Sequence, residues 1–193
     1  MSRVVPAALV LLALAPQACR DEATAPQPLR SGQVAATSAS SSKIAFTSTR
    51  DGHSQIYVMN ADGSALTRLT NDTAGATWPS WSPDGQHIAF QSTRDGHPEI
   101  YVMAADGSNV TQLTTNGYDI EPSWSPDGRR IAFVRDKLND KLQIWVMNSD
   151  GSSQTPLPNV GDRPEYPSWS PDGRQIAFQT DFGPEPAVSA GDG

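Results

Sequence analysis

The sequence predicts an all-β fold made of β-propeller blades of four antiparallel strands, in a partial propeller of about three blades. The first supporting observation is a repeat, in which the triplet Ile-Ala-Phe returns with its isoleucine at positions 44, 88, 131 and 176. The second is the period, because the spacings of 44, 43 and 45 residues match the ~40–45 residues of a four-stranded blade. The third is a strand in each of the first three units that is apolar on both faces, as expected where every sheet is covered by two neighbours.

The first two strands of each unit are joined by a tight turn. Strand A is Pro-Ser-Trp-Ser, strand B contains Ile-Ala-Phe, and Pro-Asp-Gly stands between them. Proline presets φ at the first turn position and glycine tolerates a positive φ, which together favour a short hairpin loop. The three copies span residues 79–90, 122–133 and 167–178. Their tryptophans occupy one repeat position, as Trp81, Trp124 and Trp169.

The outer two strands follow a second loop. Strand C reads Ile-Tyr-Val-Met or Ile-Trp-Val-Met at residues 56–59, 100–103 and 144–147. A strand exposed on one side would alternate apolar and polar residues, so this pattern favours burial of both faces. An Asp-Gly turn then leads to a short strand D, predicted at residues 66–70, 110–114 and 154–157.

The repeated strings resemble the WD40-like repeat of the TolB propeller family over residues 43–182, in particular Pro-Ser-Trp-Ser-Pro-Asp-Gly and Ile-Tyr-Val-Met-Asn-Ala-Asp-Gly-Ser. The family is named for the periplasmic component of the Tol-Pal envelope system. Similar repeats occur in the propellers of prolyl oligopeptidase relatives and of oligogalacturonate lyases. The resemblance implies a fold and leaves function open, because the repeated residues are those that build blades. It also implies an incomplete propeller without the amino-terminal α/β domain of TolB.

The number of units raises a question about closure. The first unit begins at strand B and the last ends at strand B, so the sequence predicts thirteen strands, whereas closed propellers have about four to eight blades. Two interpretations remain open: a truncated propeller, or a ring completed by several chains, which predicts a homo-oligomer. Residues 183–193, rich in glycine, proline and alanine, are predicted to be a disordered tail.

Residues 1–18 are predicted to be a signal peptide. Arg3 precedes an apolar run at residues 4–15, which is too short to span a bilayer and is typical of an export signal. The single cysteine, Cys19, follows and resembles the lipidated cysteine of a bacterial lipobox, although Pro16 stands where leucine is usual. A plain secretory signal with an incidental cysteine is the alternative.

Lipidation of Cys19 would make residues 19–42 a tether between the membrane and the blades. This segment is rich in Ala, Ser, Thr, Gln and Pro and is predicted to be disordered. By resemblance to bacterial sorting signals, Arg20 favours the outer membrane. The expected location is therefore the periplasmic side of the envelope, with the membrane contacted only through the lipid anchor.

Composition excludes several classes of function. The net charge of -7 disfavours nucleic acid as a partner, because phosphate binding needs clustered Lys and Arg. One cysteine permits neither an internal disulfide nor a multi-cysteine metal site. Motifs of common catalytic sites, such as G-x-S-x-G, H-E-x-x-H or a phosphate-binding glycine loop, do not occur. The sequence therefore predicts a protein that is not an enzyme and needs no cofactor.

Two patterns invite a metal hypothesis that the spacing does not favour. The Asp-Gly pairs lack the D-x-D-x-D spacing of a calcium loop, and aspartate in such turns usually bonds its own backbone. His53 and His97 occupy equivalent loops of adjacent units and could share a metal or respond to pH. Because repeat geometry separates them, exposed loop histidines without either role are the preferred interpretation.

Candidate binding residues come from the end of the blades where the units differ. In an antiparallel meander, the B–C loop and the D–A connection share one end, and three different residues there immediately precede the strand A proline. Exposed aromatic and charged side chains on a rigid scaffold are typical of binding surfaces. Capping of the blade core is the alternative for the aromatic ones. The candidates are Trp78, Glu121 and Tyr166, with their neighbours Tyr118, Asp119, Arg163 and Glu165.

These observations together predict an exported TolB-like module that binds an envelope protein or peptide. The rival prediction is a propeller from an enzyme family that lacks its catalytic part, either a gating domain of prolyl oligopeptidase type or a relative of the oligogalacturonate lyases.

Overall fold

The computed structural model describes residues 42–115, 117–136, 142–158, 160 and 163–180, and the backbone of 188–190. All of them belong to one compact unit, Ser40–Gly193. The strands are β1 (Lys43–Ser48), β2 (Gln55–Asn60), β3 (Thr67–Arg68), β4 (Ala76–Trp81), β5 (His87–Ser92), β6 (Glu99–Ala104), β7 (Thr111–Gln112), β8 (Tyr118–Trp124), β9 (Arg130–Asp136), β10 (Leu142–Asn148), β11 (Thr155–Pro156), β12 (Glu165–Trp169), β13 (Gln175–Gln179) and β14 (Val188–Ala190). In this described part of the chain, no helix could cross a membrane.

The strands form four antiparallel sheets in chain order, which we call blades 1 to 4. Blade 1 is β1-β2-β3, blade 2 is β4-β5-β6-β7, blade 3 is β8-β9-β10-β11 and blade 4 is β12-β13-β14. Blades 2 and 3 each contain the full A-B-C-D meander, whereas the described residues supply strands B, C and D to blade 1 and strands A, B and C to blade 4. The predicted all-β partial propeller is therefore confirmed.

The outer strands are shorter than predicted. The sequence predicts four or five residues for each strand D, but β3, β7 and β11 each contain two. One reason is that a side chain takes the next place in the ladder, since the Thr70 hydroxyl accepts the Ile56 N–H at 2.9 Å. Thr114 does the same for Ile100 at 2.9 Å.

Within residues 183–193, which the sequence predicts to be a disordered tail, the structure has a strand at Val188–Ala190. Val188–Ala190 pairs with β13, with Ser189 opposite Ile176, and so takes the place of strand C in blade 4. The edge of β13 presents backbone N–H and C=O groups, and such an edge favours the addition of another strand. The other residues of that predicted tail lie outside the described residues, as do the proposed signal peptide and the tether up to residue 41.

The core consists of layers between consecutive blades, because each strand sends alternate side chains to opposite neighbours. In strand C of blade 2, Tyr101 and Met103 join the cluster shared with blade 1, whereas Ile100 joins the cluster shared with blade 3. A third layer between blades 3 and 4 contains Val134 and Phe178. The predicted burial of both faces of strand C is confirmed.

The Asp-Gly turns are held by the aspartate carboxylates, as the turn interpretation predicts. In blade 2, Asp84 accepts the Ser82 hydroxyl at 2.5 Å and the Gln86 N–H at 3.0 Å. The hydroxyl hydrogen bond is the largest cause of the lowered pKa of this carboxyl, followed by the backbone one. Asp127 and Asp172 make the same pair of bonds in blades 3 and 4. These carboxylates therefore stabilise the hairpin turns through hydrogen bonds within each turn.

Candidate functional site

The inner strands β4, β8 and β12 contact one another in succession, and each contains a β-bulge. In β4, Thr77 pairs with Gln91 and Ser80 with Ala89, so Trp78 and Pro79 together face the single residue between those partners. The same register shift occurs in β8 and in β12. Two residues opposite one make a bulge that redirects the side chain of the bulged strand. The bulge also explains why these strands begin earlier than predicted, since the ladder resumes beyond it.

The residue before proline in each bulge has a left-handed backbone. The φ angles are 54° for Trp78, 57° for Glu121 and 56° for Tyr166. A positive φ is unfavourable for a bulky residue, and such strain persists only where the surrounding structure imposes it. Three consecutive blades therefore hold their candidate residue in the same uncommon conformation.

The repeated bulge brings the three predicted residues together, and we call Trp78, Glu121 and Tyr166 the rim cluster. The Trp78 and Tyr166 rings lie 5.4 Å apart between centroids, at an interplanar angle of 44°, although blade 3 stands between their blades. Glu121, from blade 3, accepts the Tyr166 N–H at 2.6 Å. The backbone N–H of Trp78 in turn donates a hydrogen bond of 3.2 Å to the Thr47 hydroxyl of blade 1.

The side chains of the rim cluster differ in exposure. Trp78 is 46% exposed and Tyr166 is 44% exposed, whereas Glu121 is 8% exposed. Burial raises the pKa of the Glu121 carboxyl, the Tyr166 N–H lowers it, and the negative charge of Glu165 raises it. The net result is a pKa above the ordinary glutamate value. The cluster thus combines two accessible aromatic rings with a largely buried carboxyl group.

Three further predicted residues lie near the same strand ends without joining the cluster. Tyr118 is 40% exposed, and its ring lies 5.2 Å from the ring of His97. Glu165 is partly buried and influences Glu121 as described, whereas Arg163 is exposed. These residues extend the polar and aromatic surface around the rim cluster.

Asp119 requires a different interpretation, because it is 0% exposed. Its carboxylate accepts two hydrogen bonds of 2.6 Å from the Arg135 guanidinium, one to each oxygen. Arg135 also donates to Gln154 at 2.8 Å. The structure therefore places Asp119 in a buried ion pair rather than on an accessible rim.

The arginines of blades 1 to 3 form a pattern that the sequence analysis missed. Each guanidinium lies over a cross-strand aromatic pair, with Arg94 4.8 Å from the centre of Tyr101 and Arg135 4.5 Å from that of Trp145. Arg50 lies 4.8 Å from Tyr57 in the same way. The repeated Thr-Arg-Asp-Gly of the first two units was a usable signal. In the third unit the arginine comes two residues earlier relative to Ile-Ala-Phe, so alignment of the repeats hides the equivalence.

The two loop histidines occupy different surroundings. His53 borders an open cavity of about 380 Å³ between blades 1 and 2, lined largely by serine and threonine, whereas His97 packs on Tyr118. Within the described ranges, no group of three or more His, Cys, Asp or Glu side chains is arranged to hold a metal ion.

Comparison with known proteins follows from this geometry. Residues 29–190 match the TolB beta propeller domain. The chain belongs to the TolB β-propeller family. No curated protein matches it closely enough to add a function.

Solved TolB structures are similar to the chain over much of its length. A putative TolB from Agrobacterium tumefaciens shares 31% identity with a TM-score of 0.65, covering 70% of this chain and 49% of that one. TolB from Acinetobacter baumannii shares 28% identity with a TM-score of 0.65, covering 76% of this chain and 37% of that one. The chain therefore spans about half or less of these TolB proteins. An oligogalacturonate lyase in complex with manganese, at 22% identity, a TM-score of 0.53 and coverage of 69% and 39%, shares the fold alone.

Proposed function

We propose that this TolB-family chain is a non-catalytic module that binds a protein or peptide of the bacterial cell envelope through the rim cluster. The observation that carries the proposal is that bulges in three blades bring Trp78, Glu121 and Tyr166 together, with the two aromatic rings in contact and exposed. Aromatic side chains of this kind dominate the binding energy of protein interfaces. Their position on strand ends of a rigid scaffold is typical of binding surfaces.

Exposure and backbone strain favour binding over a role in capping the blade core. A residue that only capped the core would be expected to bury most of its surface, whereas Trp78 and Tyr166 remain almost half exposed. A non-glycine residue with a positive φ costs on the order of 1–3 kcal/mol, and such residues are concentrated at functional sites. The alternative, a propeller from an enzyme family, is supported only by the similarity of fold to the oligogalacturonate lyase.

Replacement of the rim cluster should weaken partner binding without loss of stability. The variant combines Trp78→Asn, Glu121→Gln and Tyr166→Asn, because asparagine tolerates positive φ better than other residues with a side chain. We expect roughly a 30-fold or greater loss of affinity, the size of a hot-spot contribution of about 2 kcal/mol. The measurement is biolayer interferometry against the protein captured by wild type from a native envelope extract.

A matched control removes exposed apolar surface elsewhere. Leu66 and Val110 are 45% and 40% exposed and lie after the C–D turns, at the opposite end of the blades. The variant Leu66→Asn with Val110→Asn should retain wild-type affinity. If the rim variant instead melts at a much lower temperature and binds normally per folded molecule, the rim residues are caps and the proposed function is wrong.

We place this module on the periplasmic side of the envelope, anchored to the outer membrane through a lipid on Cys19. The support is the apolar run followed by the single cysteine and membership of the TolB family. Cys19→Ala should move the protein from the membrane fraction to the soluble periplasmic fraction. Equal partitioning of wild type and variant would rule out the lipid anchor, and the binding function would be unaffected.

A further inference from the structure

We propose that the rim cluster binds a positively charged side chain, lysine or arginine, of its protein or peptide ligand. The inference rests on the proposed binding function and specifies the chemistry of the ligand. Three observations carry it: the local charge, the arrangement of the two rings, and the way in which the same molecule places its own arginines.

The first observation is a carboxylate that forms no ion pair with any cation among the described residues. Glu121 is only 8% exposed. Its pKa is shifted by burial, by the hydrogen bond from the Tyr166 backbone N–H and by the charge of Glu165. None of these is positively charged, and Glu165 adds a second negative charge. A desolvated carboxylate is unfavourable unless it is paired. A cation from a ligand would stabilise its ionised form, and the net charge of -7 would attract such a ligand.

The second observation is the exposed aromatic surface beside that carboxylate. The Trp78 and Tyr166 rings lie at 44° to each other and therefore form an angled surface, and each of the two residues is almost half exposed. A cation within about 6 Å of an aromatic ring centre gains roughly 0.5–2 kcal/mol, most strongly on tryptophan. The aromatic rings and the Glu121 carboxylate would both attract the same positive charge of the ligand.

The third observation is an internal precedent. The Phe90 and Tyr101 rings are 5.7 Å apart, close to the 5.4 Å of the rim pair. The Tyr101 hydroxyl donates a hydrogen bond to the carboxylate of Asp95. Arg94 lies over both of these rings, so aromatic pair, carboxylate and guanidinium form one unit. The Phe46 and Tyr57 pair repeats the arrangement.

The rim cluster likewise combines an aromatic pair with a carboxylate, although Glu121 accepts the Tyr166 backbone N–H rather than its ring hydroxyl. The ligand would supply the cation. In the described part of the chain, the arginines that lie over rings do so at aromatic residues other than Trp78 and Tyr166. An apolar ligand side chain would further desolvate Glu121, and an acidic one would be repelled by Glu121 and Glu165. A basic side chain is the occupant that both groups favour.

The test uses the ¹⁵N-labelled full chain and short blocked peptides. The probes are Ac-Gly-Gly-Lys-Gly-Gly-NH₂, its arginine counterpart, and the norleucine and glutamate peptides as controls. The readout is the indole N–H signal of Trp78, assigned by its disappearance in Trp78→Phe. Lysine and arginine peptides should give saturable shifts, with affinity at least about tenfold higher than norleucine.

Glu121→Gln separates charge from shape, because glutamine can still accept the Tyr166 N–H. We expect about a tenfold loss of affinity for the lysine peptide, with a melting temperature equal to or above that of wild type, since a buried charge is removed. The affinity of wild type should also rise with pH through the Glu121 pKa and fall with added salt.

Each contrary result overturns the cation proposal. Equal binding of norleucine and lysine would show an apolar docking surface, and unchanged affinity in Glu121→Gln would show that the carboxylate has no role. If no peptide shifts Trp78, a basic side chain is not recognised there. In all three cases the binding function is judged separately, by the rim variant and its envelope partner.

Discussion

Replacing Asp119 with alanine is expected to lower the free energy of unfolding by about 3–5 kcal/mol. Asp119 is 0% exposed, and its two oxygens accept the Arg135 guanidinium at 2.6 Å. Without the carboxylate, a guanidinium whose side chain is 8% exposed would lose the negative charge that is directly hydrogen-bonded to it. Because small domains are stable by only about 5–15 kcal/mol, the loss should be evident in urea denaturation followed by tryptophan fluorescence.

Two controls make the origin of that loss clear. The double variant Asp119→Leu with Arg135→Met replaces the pair with apolar side chains and should recover most of the stability. Glu165→Ala removes a partly exposed rim carboxylate and should change stability by less than about 1 kcal/mol. If Asp119→Ala unfolds like wild type and yet loses partner binding, Asp119 is an accessible binding residue and its placement in the core is wrong.

Gly107→Ala is expected to destabilise the protein by about 2–5 kcal/mol, combining the cost of a left-handed residue with overpacking. Gly107 has a φ of 88°, and an added Cβ would lie 2.9 Å from the Leu69 carbonyl oxygen of blade 1. Backbone cannot move aside as a flexible side chain can, so the two blades would have to separate. Gly151 in blade 3 meets the Leu113 carbonyl of blade 2 at the same 2.9 Å and should behave alike.

Gly63 provides the matched control. It closes the same turn in blade 1, with the same 2.9 Å hydrogen bond from its N–H and a φ of 83°, but none of the residues that the structure describes lies within 4 Å of an added Cβ. Gly63→Ala should therefore cost only the conformational part, about 1–2 kcal/mol. Equal losses for Gly63→Ala and Gly107→Ala in denaturant titrations would contradict the close packing of blades 1 and 2.

The rim cluster could be located in part from the sequence. The antiparallel order of strands places the residues before each strand A proline at one end of the blades, which singled out Trp78, Glu121 and Tyr166. Their mutual contact could not be predicted, because it depends on the bulge and on the angle between successive blades. The exposure of each side chain could not be predicted either, because a capping residue and a binding residue produce the same pattern of an aromatic residue before proline.

Asp119 shows why the neighbours were harder to interpret. Its partner Arg135 is an arginine that the third unit places two positions earlier than the first two units do. A charged residue beside an exposed aromatic is typical of a surface, and only packing reveals that this one is enclosed. Strand D was overextended for a related reason, because a threonine hydroxyl can replace a backbone partner without any change in sequence pattern.

By itself, the sequence determined the architecture: the repeat of 43 to 45 residues, the hairpin turns with Asp-Gly, and a strand C apolar on both faces are local properties of the chain. They suffice because each blade is one local unit that needs a neighbour on either side. The tertiary structure decided which of the variable residues are accessible and which are enclosed. Accessibility depends on contacts between residues of different blades, such as Trp78 with Tyr166, and those contacts follow from how the sheets stack.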